Sequence, residues 1–282
     1  MSGKRTFVVL MLGTVGLTLA ANRLLSFQLD AQGVKGALKA WWEMQAAELS
    51  VSGAVRERTA RLADQAVDEA IPLARELGRT LDALAGDSST SAVTADTSQR
   101  IQCLYRNLSA FVDLKDKFVS QAGKSLTPKE RAELIVKVGS RIRTRTGLTP
   151  DTVESLLETV RDIRETRLHR LLGLGDERAT ALKQRIDRFA NGRKSIRQAR
   201  RAVFAKLETA ISKGGSRVEL ASILSEWDNL TVRSSNLTRE QISEAQKFFT
   251  PNECIRLARA AHQRIEQAAG VLALIARFHP VD

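Results

Sequence analysis

Apolar residues recur at helical spacing along nearly the whole chain, and strand-type alternation is hard to find after about residue 30. Val34, Leu38, Trp41, Trp42 and Ala46 mark one helix over 34–49. Val55, Leu62, Ala66, Ala70, Leu73, Leu77, Leu81 and Leu84 mark a second over about 54–85, with Pro72 inside the pattern and expected to kink or divide it. Ile101, Leu104, Leu108, Phe111, Val112, Leu114, Phe118 and Val119 supply a third, and Val153, Leu156, Leu157, Val160, Ile163, Leu168, Leu171 and Leu172 a fourth. A long helix is predicted from Asp176 to Ile211, where Leu182, Phe189, Ile196 and Val203 recur seven apart. A return helix over about 218–248 carries Leu220, Ile223, Leu224, Trp227, Leu230, Leu237, Ile242 and Ala245, and a last one starts at Pro251. The fold class is therefore all-α, built from long antiparallel helical hairpins.

Breaks and caps fall between these stripes. Leu126-Thr127-Pro128, Leu148-Thr149-Pro150 and Phe249-Thr250-Pro251 each put an apolar residue, a capping Thr and a Pro before a helix. Glu130 and Glu253, three residues past their Thr, complete capping boxes, and Val153 and Cys254 stand where a hydrophobic staple would meet Leu148 and Phe249. Gly173-Leu174-Gly175 and Lys213-Gly214-Gly215-Ser216 read as turns between antiparallel helices. Residues 86–99 are small, polar and aperiodic, and read as a flexible linker.

Charge changes the picture at the long helix. The chain carries a net +12, and its isoelectric point is about 10.2. Between Lys183 and Lys206 stand Lys183, Arg185, Arg188, Arg193, Lys194, Arg197, Arg200, Arg201 and Lys206 against the single acid Asp187. Arg193 and Arg200 also interrupt the row that joins Ile186 to Leu207, so guanidinium groups border a thin apolar seam. One reading is a solvated face of a bundle helix. The other is a basic surface with exposed apolar spots, on which Arg193, Arg197, Arg200 and Arg201 attract unfolded or acidic protein partners and Phe189, Ile196 and Phe204 make weak apolar contact.

The first residues address the compartment. Lys4 and Arg5 precede an uncharged, mostly apolar run from Thr6 to Ala21, which as a helix spans roughly 24 Å against a hydrocarbon core of roughly 30 Å. With Thr18-Leu19-Ala20 small enough for a signal peptidase, a cleaved secretory signal is predicted, or else an uncleaved anchor holding the chain at the inner membrane through residues 6–21. Both send the remainder across the membrane. Nucleic acid is not expected as a partner there, despite the basicity. Cys103 and Cys254 would meet an oxidising medium, where a disulfide between them competes with a staple role for Cys254. His169, His262 and His279 lack ligand spacing, and no phosphate loop, nucleophile elbow or His-Glu-x-x-His motif occurs. No enzyme, metal or cofactor is expected.

The order of parts in the second half resembles a known family. His169-Arg170-Leu171-Leu172-Gly173-Leu174 followed by Asp176-Glu177-Arg178-Ala179 is similar to the "L-G-L-T-x-E-Q" helix start of the Spy/CpxP-like periplasmic proteins, with Gly175 in place of the motif Thr. The long basic helix, Gly-Gly turn and return helix follow in that family's order. Phe249-Thr250-Pro251-Asn252-Glu253-Cys254-Ile255-Arg256-Leu257 resembles its second motif, "L-T-P-E-Q-x-x-x-L". Leu237-Thr238-Arg239-Glu240-Gln241 also matches the motif but falls in mid-helix. The resemblance covers about 153–267. It implies a hairpin that dimerises into a curved basic cradle, acting as an ATP-independent chaperone, an envelope-stress regulator or a metal-responsive protein. The expected organisation is a signal or anchor (1–23), an N-terminal helical region (24–85), the linker (86–99), a helical connector (100–145) and the Spy/CpxP-like domain (146–282). A structural coiled-coil scaffold of the envelope is the alternative.

Overall fold

A computed structural model describes residues 51–86, 94–147 and 149–263. The run 6–21, the helix predicted over 34–49 and His279 lie outside these residues. The fold is all-α. The helices are α1 (Gly53–Gly86), α2 (Ala95–Ser125), α3 (Pro128–Thr146), α4 (Pro150–Leu172), α5 (Asp176–Ser212), α6 (Arg217–Phe248) and α7, described over 251–263. Pro72 sits inside α1, which runs on undivided past it. One expectation needs correction. The stretch 95–99, taken for linker, is the first turn and more of α2, because Thr94 caps it by accepting from the Thr97 backbone N–H at 3.1 Å.

The capping residues act as their chemistry dictates. The Thr127 hydroxyl accepts from the Glu130 N–H while the Glu130 carboxylate accepts from the Thr127 N–H, so two donors with no helical partner are satisfied. Thr250 and Glu253 repeat the exchange ahead of α7. Thr149 caps α4 through the Thr152 N–H. Gly147 and Gly173, both at φ 60°, close α3 and α4 in the left-handed conformation open to glycine.

The described chain divides into two compact units, one of residues 51–62 and 115–241, the other of 63–114 and 242–263. Helices α1, α2 and α6 supply residues to each. In the first unit, Val203, Leu207 and Ala210 of α5 pack with Leu220, Ile223, Leu224 and Leu230 of α6 and Ala132 of α3. Leu207 is fully buried, a burial that stabilises by about 1.5–3 kcal/mol. A smaller cluster joins Val51, Val55 and Leu126. In the second unit, Leu81 and Leu84 of α1, Ile101 and Tyr105 of α2, and Cys254, Ile255 and Ala258 of α7 share a core, with Phe249 packed against it.

Gly139 shows how closely α3 meets α5. A Cβ there would lie 2.3 Å from Cε2 of the Phe204 ring, so only glycine admits the aromatic face. Gly139→Ala is expected to lower stability by about 1–3 kcal/mol in thermal unfolding. The same substitution in a Phe204→Leu background is expected to cost much less; an equal loss in both backgrounds would show that the contact does not govern the site.

Candidate functional site

Helix α5 is the centre of the first unit, and its basic side chains have neighbours on both flanks. Towards α6 the charges run antiparallel. Lys206 meets Glu226 at 2.6 Å, Arg200 donates to the Thr231 hydroxyl at 3.2 Å, Arg193 donates to Gln241, and Arg188 meets Glu240 at 3.2 Å. Arg193 and Arg200, which interrupt the apolar row, thus find polar partners on α6. The Arg200 guanidinium also stands 5.6 Å from the centre of the Trp227 ring, and burial pushes its pKa down from the usual arginine value.

Towards α4 the contact is a ladder of charges. Glu154 accepts from Arg197 at 3.0 and 2.7 Å and from Arg201 at 3.0 Å. Glu158 meets Lys194 at 3.2 Å, Arg161 meets Asp187 at 3.7 Å, and Glu165 meets Lys183 at 3.0 Å. Positions 154, 158, 161 and 165 lie on one side of a helix. Their signs read minus, minus, plus, minus, and the facing side of α5 reads the complement. Asp187, the lone acid of the basic stretch, meets the one arginine of this α4 stripe. A slip of one turn sets Asp187 against a glutamate and Arg161 against a lysine, so the charges select one register.

Glu154 is the anchor. Its side chain is 13% exposed, and the hydrogen bond from Arg197 holds its carboxyl below the usual glutamate range. The Arg197, Arg201 and Lys194 charges act in the same direction, and burial acts against them.

The seven residues predicted to form one open surface are therefore distributed. Phe189 and Ile196 are 3% and 6% exposed, inside the chain rather than on a client-facing side. Phe204 is half-buried over Gly139, with the Arg143 guanidinium 5.1 Å from its ring. Arg197 and Arg201 face α4, and Arg193 and Arg200 face α6. The expectation of apolar spots exposed on α5 is corrected: Leu182, Phe189, Ile196 and Val203 are all buried, with Val203 in the core shared with α6 and α3, as such rows are in packed helices.

What sequence reasoning missed is the other side of α4. Leu156, Leu157, Val160, Ile163 and Leu171 are all exposed, Ile163 at 47%. They belong to the apolar stripe that marks α4, but the acids of the helix turn towards α5 and these five residues turn away. The signal was available in Glu154, Glu158 and Glu165, a separate acidic stripe matched to a basic helix. Arg167 and Arg170 stand exposed on the same helix without a carboxylate partner among the described residues.

In the second unit the two cysteines are free, and the disulfide weighed from the sequence is not formed. Cys254 is buried, with its sulfur 3.5 Å from the Tyr105 hydroxyl. Burial raises the pKa of both groups; the hydrogen bond to Cys254 adds to the rise at Tyr105, whereas the bond from Tyr105 opposes it at Cys254. Cys103 instead donates to Glu76 at 3.2 Å and accepts from Arg106 at 3.4 Å. His262 pairs with Asp82 at 2.9 Å. Among the described residues no group of His, Cys, Asp and Glu is arranged to hold a metal ion, and no helix is long and apolar enough to cross a membrane.

No protein-family model matches the chain, and neither does any curated protein or solved structure.

Reversing one charge at a time tests the register. Arg161→Glu and Asp187→Lys are each expected to lower the unfolding temperature, and the double variant to recover most of the loss, with a coupling of about 0.5 kcal/mol. Strictly additive losses would show that the pair does not interact. The depressed Glu154 pKa gives a pH signature. Its contribution is complete above the unfolded glutamate value of about 4.3 and is lost as pH falls through the lower folded value. Hydrogen exchange in acid is expected to release α4 amides below about pH 4 while α5 and α6 stay protected.

Proposed function

We propose that the protein is an exported, ATP-independent chaperone or envelope-stress sensor of the Spy/CpxP-like kind, and that its docking surface is the outer side of α4. The observation that carries this is the concentration of exposed large apolar side chains on that one helix. Leu156, Leu157, Val160, Ile163 and Leu171 are five of the seven such residues among the described residues, the other two being Val218 and Val232 on α6. Contiguous apolar surface of this kind marks interaction sites on soluble proteins. Arg167 and Arg170 add charge without a paired carboxylate, which favours partners that carry acidic groups beside apolar ones. Export rests on the basic-then-apolar order of residues 4–21.

A client-binding surface of this type is shallow and unshaped. It has no need of nucleotide or metal, because weak apolar contact and long-range attraction suffice to delay the association of unfolded chains. A structural scaffold of the envelope is the second reading, and one observation favours it. The apolar row of α5 is already covered within the chain, so among the described residues α4 offers the largest group of exposed apolar side chains to pair two copies.

Light scattering of a denatured client separates the two. The wild-type chain at equimolar ratio is expected to suppress aggregation, and Ile163→Asp with Leu156→Asp to abolish the suppression while the helical circular dichroism stays unchanged. Absence of suppression by the wild type, together with a dimer that Ile163→Asp dissociates in sedimentation, would replace the chaperone with the scaffold.

A further inference from the structure

We propose that the basic side of α5 beneath α4 is a second docking site, fitted to an acidic helix, and that α4 is its resident occupant and can be displaced by such a partner. A helix kept only as a building element turns its apolar stripe inward. Along most of α4 the stripe is turned outward instead: Leu156, Val160 and Ile163 are exposed, only Leu172 at the end of the helix is buried, and the contact with α5 carries an ion pair at each turn. An interface made of charge pairs is screened by salt and yields to competing charges, whereas one made of apolar contact is not.

Helix α4 itself describes what the site takes. Its carboxylates Glu154, Glu158 and Glu165, spaced four and seven apart, meet Arg197, Arg201, Lys194 and Lys183. The partner is therefore a helical segment with carboxylates on one side at that spacing. A base in the position of Arg161 would improve the match, because it faces Asp187. Helix α4 occupies the site as a tethered ligand. The short Gly173-Leu174-Gly175 connection to α5 gives it a high effective concentration, so a free acidic helix gains access only where α4 is weakened or where the partner also engages another surface. The outer stripe of α4 is one such surface. This inference takes from the proposed function only the acidity of the partner, and the basic side of α5 stands whether or not the outer stripe binds clients.

The test uses the full chain and a fluorescent synthetic peptide of residues 150–172 in which Leu156, Leu157, Val160, Ile163 and Leu171 are replaced by glutamine, so that the probe keeps the acidic side and loses the exposed apolar one. Fluorescence anisotropy at 50 mM NaCl is expected to show weak binding to the wild-type chain. Binding is expected to be roughly tenfold or more tighter to the Glu154→Gln, Glu158→Gln, Glu165→Gln variant, in which the resident helix has lost its charges. That binding is expected to vanish at 1 M NaCl, where the screening length is about 3 Å. Equal binding to both chains, or binding that survives 1 M salt, overturns the proposal. Should the triple variant not fold, hydrogen exchange on the wild type decides. Amides of α4 are expected to lose protection between 50 mM and 1 M NaCl while those of α5 and α6 keep theirs, and unchanged α4 protection overturns the proposal. Ile163→Asp separates the two ideas, since it is expected to remove client protection and leave peptide binding to the triple variant intact.

Discussion

Like charges crowded on one rod repel, and α5 can be packed only because its neighbours are acidic or polar where it is basic. Helix α4 supplies Glu154, Glu158 and Glu165, and α6 supplies Glu226 and Glu240 with Thr231 and Gln241 between them. That requirement orders the first unit. It leaves Val203, Leu207 and Ala210 of α5 free to meet α6 and α3, and it dictates which side of α4 is turned inward. The apolar residues of α4 are exposed because its acids are used.

The second unit is held by apolar contact. Its core joins leucines of α1 to Ile101 and Tyr105 of α2 and to the start of α7. Tyr105 and Cys254 share a hydrogen bond inside that core, and burial disfavours the charged form of each. Cys254 is therefore a packed thiol, in keeping with the staple position it occupies after Thr250. The Thr250–Glu253 exchange sets the start of α7 beside it.

Most of the helices were legible because their signals are local. Thr127, Thr149 and Thr250 start helices by bonding free N–H groups, and Gly147 and Gly173 end them; a chain pattern is enough to see this. The start of α2 was missed because its first turns are threonine, serine and aspartate, residues equally at home in linkers, and only the Thr94 cap distinguishes them. The candidate site was harder for a different reason. Periodicity tells which residues share a side of a helix but not which neighbour that side meets. Phe189, Ile196 and Val203 were correctly placed on one side of α5, yet whether it faced solvent or α6 depended on contacts far along the chain. The inward turn of Glu154, Glu158 and Glu165 was likewise settled by cations some 18 to 47 residues away.

The inverted rung between Arg161 and Asp187 bears on how α4 finds its place. A uniformly acidic rod laid along a uniformly basic one has many docked positions of nearly equal energy and can glide between them. One reversed pair breaks that degeneracy: every displaced position sets two like charges face to face, so sliding meets a barrier in both directions. The hairpin settles by rejecting wrong alignments, like a vernier whose marks coincide at a single setting.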